Sequence, residues 1–191
     1  MSYTDGFAKE TGHLGETEVD RFFKKNGLYC NRPFGQDNGV DRILKLSEFA
    51  EKQAKIQIKG RRQLTNPRWF QLTVTSKQLA TCFKEKRNLN ELWRNRISMV
   101  DFWVLVSIPL NEIWIFPSEI IFEIADANAR IYSNRRDNNY DQIYYNKLGK
   151  IQKKQKELNL NIKDDSGIQL SDKYSKFKDN CSIIIDYLDS K

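Results

Sequence analysis

The sequence predicts an α/β fold in which helices pack against a mixed central sheet. An amphipathic helix opens the chain, short strand-like segments follow it, and the run Trp103–Val106 is apolar on both faces, as in a central strand covered on both sides. The length of 191 residues suits one compact domain better than two. We therefore expect a single domain over 1–191, with a core over 8–120 and a helical or irregular C-terminal extension over 121–191 for recognition, packing or oligomerisation.

The first helix is expected from about residue 8 to residue 26, where Gly27 supplies the left-handed turn that often ends a helix. With Val19 at the centre of the apolar face, Glu16 lies within about 60° of it at roughly 100° per residue, whereas Glu18 lies near 100°. Glu16 therefore points toward the edge of the core, and Glu18 points there less.

Short strands are expected after this helix. In the segment 55–59, Ile56 and Ile58 share one face and polar side chains share the other, because successive side chains of a strand alternate. The segments expected to form strands are Leu28–Pro33, Val40–Leu46, Lys55–Lys59, Phe70–Thr75, Val100–Ile108 and Glu112–Phe116. A helix is expected over 77–86, where Ser76 precedes it as an N-cap.

Beyond Ser118 we expect a short helix to about residue 127 and then a polar stretch to about residue 172. The last segment regains apolar residues at helical spacing, namely Tyr174, Phe177, Cys181, Ile184, Ile185 and Leu188. Such a stripe needs a partner surface, which is either its own domain, the reading we favour, or another subunit.

Composition restricts the classes of partner. The 32 Lys and Arg residues exceed the 25 Asp and Glu residues, and the net charge of +7 favours polyanions. Apolar runs fall short of the ~20 residues that a membrane helix needs, and the first ten residues lack the apolar segment of a secretory signal. Three widely spaced cysteines match neither a disulfide framework nor a paired zinc site. We therefore expect a soluble, cytoplasmic protein without a membrane partner.

Polar residues that are candidates for catalysis follow one another in a distinctive order. Glu16 lies on the first helix, Asp41 follows Gly39 at the start of a strand, and Gln57 precedes Lys59 on the polar face of the next strand. This order resembles the PD-(D/E)XK nuclease superfamily, which includes type II restriction enzymes, resolvases and some homing endonucleases. The opening segment, from Gly12 through Glu16 to Gly27, is similar to the first helix of archaeal Holliday-junction resolvases.

The resemblance implies a restriction endonuclease-like core and a site for Mg²⁺, for which Mn²⁺ can substitute. Asp41, the amide of Gln57, the main chain of Ile58 and Glu16 would be the ligands. Lys59 shares the strand face of Gln57 and would orient the attacking water. Hydrolysis of a phosphodiester needs an activated water and compensation of the charge on the phosphate, and Mg²⁺ supplies both.

Two departures from the family pattern affect this expectation. Val40 stands where the family name has Pro, and the aspartate that follows still carries the charge. Gln57 is neutral where the family has Asp or Glu, although its amide retains an oxygen. Fewer carboxylates should weaken the hold on a hard divalent cation.

Basic residues near the site are candidates for contacts to DNA phosphates, which would make binding weaken as salt rises. A polar tract over 130–140 also combines Arg, Asn and Tyr in the manner of a recognition loop, although a structural connector remains open. The candidate DNA-binding residues are Arg61, Arg62, Arg68, Lys77, Arg135 and Arg136.

The sequence therefore predicts a metal-dependent endonuclease that hydrolyses double-stranded DNA, either a type II restriction enzyme or its catalytic subunit. One site per chain cuts one strand, so a homodimer or a second subunit is expected. A structure-selective resolvase or repair nuclease is an alternative. A nucleic-acid-binding protein that keeps the scaffold without cutting is another, and the neutral Gln57 favours it.

Overall fold

The structure is a computed structural model that describes residues 3–33, 39–71, 95, 97–124 and 167–190. The chain forms two compact units, of which the first comprises Met1–Phe70, Ser98–Ile121 and Gln169–Lys191 and the second comprises Gln71–Ile97 and Phe122–Ile168. The first unit contains the main sheet and the candidate site residues that are described. The chain leaves this unit near residue 121, where the C-terminal extension was expected, but it returns to it at Gln169.

The elements follow a helix-first order. They are helix α1 (Tyr3–Lys25), strands β1 (Tyr29–Asn31), β2 (Arg42–Lys45), β3 (Ala54–Arg61), β4 (Trp69–Gln71), β5 (Phe102–Ser107) and β6 (Glu112–Pro117), a helical segment α2 over 118–124, strand β7 (Gly167–Gln169) and helix α3 (Ser182–Asp189). A one-turn 3₁₀ helix occupies Ile108–Leu110, and a longer one occupies Asp172–Phe177.

Five strands form a mixed sheet in the order β1-β2-β3-β5-β6, and β4 pairs with β7 in a separate two-stranded sheet. The pairs β1–β2, β2–β3 and β5–β6 are antiparallel, whereas β3 and β5 run parallel. A mixed sheet with helices packed on it confirms the predicted α/β class.

The core lies between one face of the sheet and helices α1 and α3. Apolar side chains of both helices and of the inner strands form one buried cluster, which includes Val19, Phe23, Leu44, Ile56, Ile58, Phe102, Val104, Ile184 and Leu188. All six residues of β5 are buried, which confirms the predicted central strand. On the opposite face, the ring of Phe116 packs against those of Tyr174 and Phe177.

Helix α1 ends where the sequence indicates but begins earlier. Gly27 adopts φ 77°, and the N–H of Leu28 donates to the carbonyl of Phe23 at 3.0 Å, which closes the helix as predicted. The prediction of a start near residue 8 was wrong, because the helix begins at Tyr3. The residues of the first turn do not form an apolar pattern at helical spacing, so the sequence did not indicate that the helix extends to Tyr3.

The C-terminal stripe does not lie on one continuous helix. After the 3₁₀ helix, Lys178 forms an isolated β-bridge with Trp114, and the N–H of Asp179 donates to the carbonyl of Ile113 at 2.7 Å. The chain therefore stops being helical to pair with the outer edge of β6. The buried residues Cys181, Ile184 and Leu188 nevertheless join the core of their own unit, as the favoured reading required.

Other boundaries differ in detail. Strands β1, β2 and β5 are shorter than the segments expected, and the chain turns into a 3₁₀ helix at Ile108. Strand β7 was not predicted. The expected helix over 77–86 and the tract over 130–140 lie outside the described residues. None of the helices that the structure describes has the length and apolar character needed to cross a membrane.

Candidate active site

The site begins where the ladder between β2 and β3 ends. Arg42 is paired with Ile56, and the N–H of Asp41 donates to the carbonyl of Ile56 at 2.8 Å. The chain before Asp41 turns away at Gly39, which adopts φ 104°. The N–H of Ile58 therefore has no strand partner at this point and donates to Oδ2 of Asp41 at 2.7 Å. The divergence of the two strands leaves a polar notch that the Asp41 carboxylate enters.

Gln57 lies in the same notch. Its Nε2 donates to Oδ2 of Asp41, and its side chain is 7 % exposed. A methyl group added at Gly39 would lie 3.4 Å from the Gln57 Oε1, which shows that the Gly39 backbone passes close to the amide. Gln57 and Lys59 are paired with Trp103 and Leu105 of β5 and so share one face of the sheet, as the alternation predicted.

The electrostatics link Asp41 to both other charged candidates. Burial raises the pKa of Asp41 above its usual value, while the hydrogen bond from Ile58 and the positive charge of Lys59 act to lower it. The negative charge of Glu16 acts in the raising direction. Asp41 is thus a partly desolvated carboxylate whose ionised form gains from added positive charge.

A close approach of backbones brings α1 to this end of β3. A Cβ atom at Gly15 would lie 3.1 Å from the Cα of Gly60, and one at Gly60 would lie 2.8 Å from the carbonyl oxygen of Thr11. Glu16 follows Gly15 and is therefore carried to the edge of the site. Glu18 instead forms an exposed ion pair with Arg21 at 2.8 Å, so the geometry favours Glu16 as the helix carboxylate.

Arg42 and Asp20 form part of this arrangement, and sequence reasoning missed both. The side chain of Arg42 is 3 % exposed and donates from Nε and Nη2 to the two carboxylate oxygens of Asp20, at 2.6 and 2.9 Å. It also donates from Nη2 to Oε2 of Glu16 at 3.1 Å and from Nη1 to the carbonyl of Asp41 at 2.7 Å. The available signal was the spacing of two residues between Arg42 and Leu44, which places the arginine on the same inward face of the strand as the apolar leucine.

The pKa shifts of Asp20 and Arg42 both favour the charged form of each group. Burial acts to raise the pKa of Asp20, but the hydrogen bond and the charge of Arg42 outweigh it, so the pKa falls below its usual value. Burial likewise acts to lower the pKa of Arg42, and the bonds to Asp20 and Glu16 raise it well above the ordinary range. The pair is therefore fully charged at neutral pH.

Among the expected DNA contacts, Arg61 holds its own loop together. Its Nε donates to the carbonyl of Asn66 at 2.6 Å, and its Nη2 donates to the carbonyl of Thr65 at 3.0 Å and to Oε1 of Gln63 at 2.9 Å. The guanidinium thereby fixes the turn that directly follows β3.

Two further arginines are also engaged within the chain. Arg62 pairs with Glu10 of α1 at 2.9 Å. Arg68 pairs with the buried Glu112 at 2.6 Å and lies over the ring of Trp114, 5.6 Å from its centroid. Lys77, Arg135 and Arg136 lie outside the described residues.

The oxygen donors at the notch fit a divalent cation. Mg²⁺ is bound in proteins by one or two carboxylates with retained waters, and here the Asp41 carboxylate lies beside the Gln57 amide and the Ile58 main chain. A half-turn of the Gln57 amide would exchange its nitrogen for its oxygen. Within the ranges that the structure describes, no group of three or more His, Cys, Asp and Glu side chains gathers for a metal ion, so amide and main-chain oxygens would have to complete such a site.

Comparison with known proteins gives a distant match. The chain is 25 % identical over 175 residues to Druantia protein DruC of Escherichia coli (strain UMEA 4076-1). The match covers 91 % of this chain and 25 % of that protein, so the chain corresponds to about a quarter of its relative. No family model matches the chain, and no solved structure matches it.

Proposed function

We propose that this chain is a metal-dependent endonuclease that hydrolyses phosphodiester bonds in double-stranded DNA, of the type II restriction kind or the catalytic subunit of such an enzyme. The observation that carries the proposal is the contact of the Gln57 amide with the partly buried Asp41 carboxylate, on which the charges of Lys59 and Glu16 also act. The net charge of +7 agrees with a polyanionic substrate.

The order of the elements also supports the proposal. A helix with the glutamate, a strand that starts after the aspartate and a strand that carries Gln57 and Lys59 follow one another as the resemblance to the nuclease superfamily requires. Strands β2 and β3 are adjacent in the sheet, which is why residues 41 and 57 lie side by side.

Each side chain has a separate task in the proposed reaction. Asp41 and the Gln57 amide, with the main-chain oxygen of Ile58, would hold the cation, which would supply charge compensation and an acidified water. Lys59 holds a positive charge next to the scissile phosphate and orients the water that attacks it. Glu16 accepts a hydrogen bond from a water at the edge of the site and so fixes its position.

One observation favours a second candidate function. The Gln57 amide donates to Asp41 and thereby satisfies the carboxylate without a cation. A protein that uses the scaffold to bind nucleic acid without cutting it would keep this arrangement. Cleavage assays separate the two candidates directly.

The test is incubation of the purified chain with unmethylated plasmid and Mg²⁺ or Mn²⁺, followed by mapping of the fragment ends. Lys59→Ala and Asp41→Asn should abolish cleavage. Lys55→Ala is the matched control, because Lys55 lies on the same strand and the same face but is exposed. Full activity of Lys59→Ala in a folded protein would refute the site.

The products also distinguish the kinds of nuclease. Discrete fragments indicate a restriction enzyme, and cleavage of branched DNA regardless of sequence indicates a resolvase or repair nuclease. Intact plasmid that is nevertheless bound by the protein indicates the non-cutting candidate.

A further inference from the structure

Arg42 occupies an unusual position for an arginine. It lies on the inward face of β2 opposite Ile56, where the core of the unit is apolar, and its side chain is almost completely buried. A buried guanidinium is tolerated only when its donors are paired, and here all three of its nitrogens donate. These bonds place its partners in a fixed relation to one another.

The guanidinium divides its donors between two elements of the site. Nη1 binds the main-chain carbonyl of Asp41, which precedes β2, and Nη2 binds the carboxylate of Glu16 on α1. Because the guanidinium is planar and rigid, the position of one partner determines that of the other. The Asp41 carbonyl and the Glu16 carboxylate are therefore held at fixed positions relative to the Arg42 guanidinium.

Arg32 also approaches Glu16, but its contact is of a different kind. The nearest atoms lie 3.6 Å apart and the Arg32 side chain is 68 % exposed. Exposed ion pairs of this type contribute little, because solvent screens them and the long side chain must be ordered. The Glu16 carboxylate is therefore held in position mainly by Arg42.

Asp20 anchors the guanidinium from outside the notch. Its two carboxylate oxygens accept from Nε and Nη2, a bidentate contact that fixes the plane of the group. Asp20 lies one helical turn after Glu16 and makes no contact with Asp41 among the bonds of the described residues. Among the hydrogen bonds of the described residues, its link to the site runs through Arg42, and its other bond is accepted from Cys30.

We propose that Arg42 is a positioning residue of the candidate site, which holds the Glu16 carboxylate and the Asp41 backbone in register through one buried guanidinium that Asp20 anchors. This inference rests on the proposed nuclease function. It assigns to Arg42 no contact with DNA and no contact with the cation.

The experiment compares Arg42→Lys, Asp20→Asn, the double variant and Arg32→Met in the full chain. Rates of cleavage of a duplex containing the mapped site give kcat and KM with Mg²⁺. Binding of the same duplex in Ca²⁺ gives affinity without turnover, and thermal unfolding in EDTA reports folding. Arg32→Met is the matched control, because it removes the exposed arginine next to the same carboxylate.

Arg42→Lys should lower kcat at least about tenfold with KM and duplex affinity within about twofold, because lysine cannot reproduce the planar fork. Asp20→Asn should lower kcat by a smaller factor, and the double variant should be no slower than Arg42→Lys alone, since both changes act through one group. Arg32→Met should remain within about twofold of the unaltered protein.

Three results would overturn the inference: an unchanged kcat in folded Arg42→Lys, additive losses in the double variant, or a loss in Arg32→Met equal to that in Arg42→Lys. If Arg42→Lys fails to fold in EDTA, Asp20→Asn decides alone, and an unchanged kcat there overturns it. Absence of cleavage by the unaltered chain would instead remove the proposed function, and the role of Arg42 with it.

Discussion

Gln57 determines how the candidate site behaves without a cation. A carboxylate at this position would face the partly buried Asp41 carboxylate at close range, and the two like charges would repel each other. The amide instead donates a hydrogen bond to Asp41. The contact between Gln57 and Asp41 thus needs no cation.

Replacing Gln57 with glutamate tests this account. Gln57→Glu should lower the free energy of unfolding in EDTA by about 1–3 kcal/mol, because a hydrogen bond is lost and a second buried carboxylate is gained. Mg²⁺ and Mn²⁺ should bind more tightly and restore the stability, which thermal unfolding with and without the cation measures.

The control for this change is Gln53→Glu, at an exposed position just before β3. It should unfold at the temperature of the unaltered protein in EDTA and in Mg²⁺ alike. Gln57→Glu with unaltered stability in EDTA and no response to cations would show that Asp41 and residue 57 do not share a site.

Between elements, Glu112 joins two other parts of the chain to its own strand, β6. At the start of β6 it accepts from Arg68, which precedes β4, from Lys178, which follows the 3₁₀ helix, and from the indole of Trp114. The hydrogen bond from Arg68 contributes most to lowering the pKa of Glu112 to about 2, and burial opposes it. The ionised carboxylate is the form that holds these parts together.

This shift predicts how stability depends on pH. A carboxyl group whose pKa is lower in the folded state stabilises the fold at pH above its ordinary value of 4.5, and the stabilisation disappears as pH falls toward 2. Glu112→Gln should therefore cost about 3 kcal/mol at pH 7 and much less at pH 2.5, as urea unfolding at each pH would show. Glu119→Gln, at an exposed carboxylate, is the control; a constant difference across this range would contradict the assignment.

The contact between α1 and β3 depends on glycine at the point of closest approach. Gly60→Ala should destabilise the protein by about 1–3 kcal/mol, because the added methyl group would lie 2.8 Å from a backbone oxygen of α1 and the helix would have to move. Gly12→Ala, where the new methyl group meets nothing within 4 Å, should stabilise by up to about 1 kcal/mol through helix propensity. Chemical unfolding of both variants measures the two values, and equal signs would show that the backbones are not in contact.

For the molecule as a whole, local patterns could be predicted and long-range pairing could not. Three local properties of the sequence each predicted an element correctly. They are the alternation in 55–59 for β3, the apolar run of β5, and the glycine that ends α1. The order of strands in the sheet, the pairing of Lys178 with β6 and the bond from Arg42 to Asp20, 22 residues away, depend on tertiary contacts that no local period encodes. For the same reason, the site residues could be proposed from their order, whereas the residues that hold them could not.

The C-terminal segment, whose apolar stripe packs on its own unit as favoured from the sequence, provides a further prediction. Ile184 on α3 is completely buried in the cluster that contains Ile56 of β3, more than a hundred positions earlier in the chain. The last part of the chain therefore contributes to the core of its own unit. Ile184→Ala should lower the free energy of unfolding by about 2–4 kcal/mol, because it leaves a cavity among residues of the sheet and α1.

Ile185→Ala is the matched control, since the neighbouring side chain is only half-buried and packs at the margin of the same cluster. Its cost should be clearly smaller. Because the segment belongs to one cooperative core, the fluorescence of the buried tryptophans and the far-ultraviolet circular dichroism of Ile184→Ala should report the same lowered midpoint in urea. Separate midpoints, with only a small part of the signal lost at low urea, would show that α3 is an appendage that can unfold while the sheet remains intact.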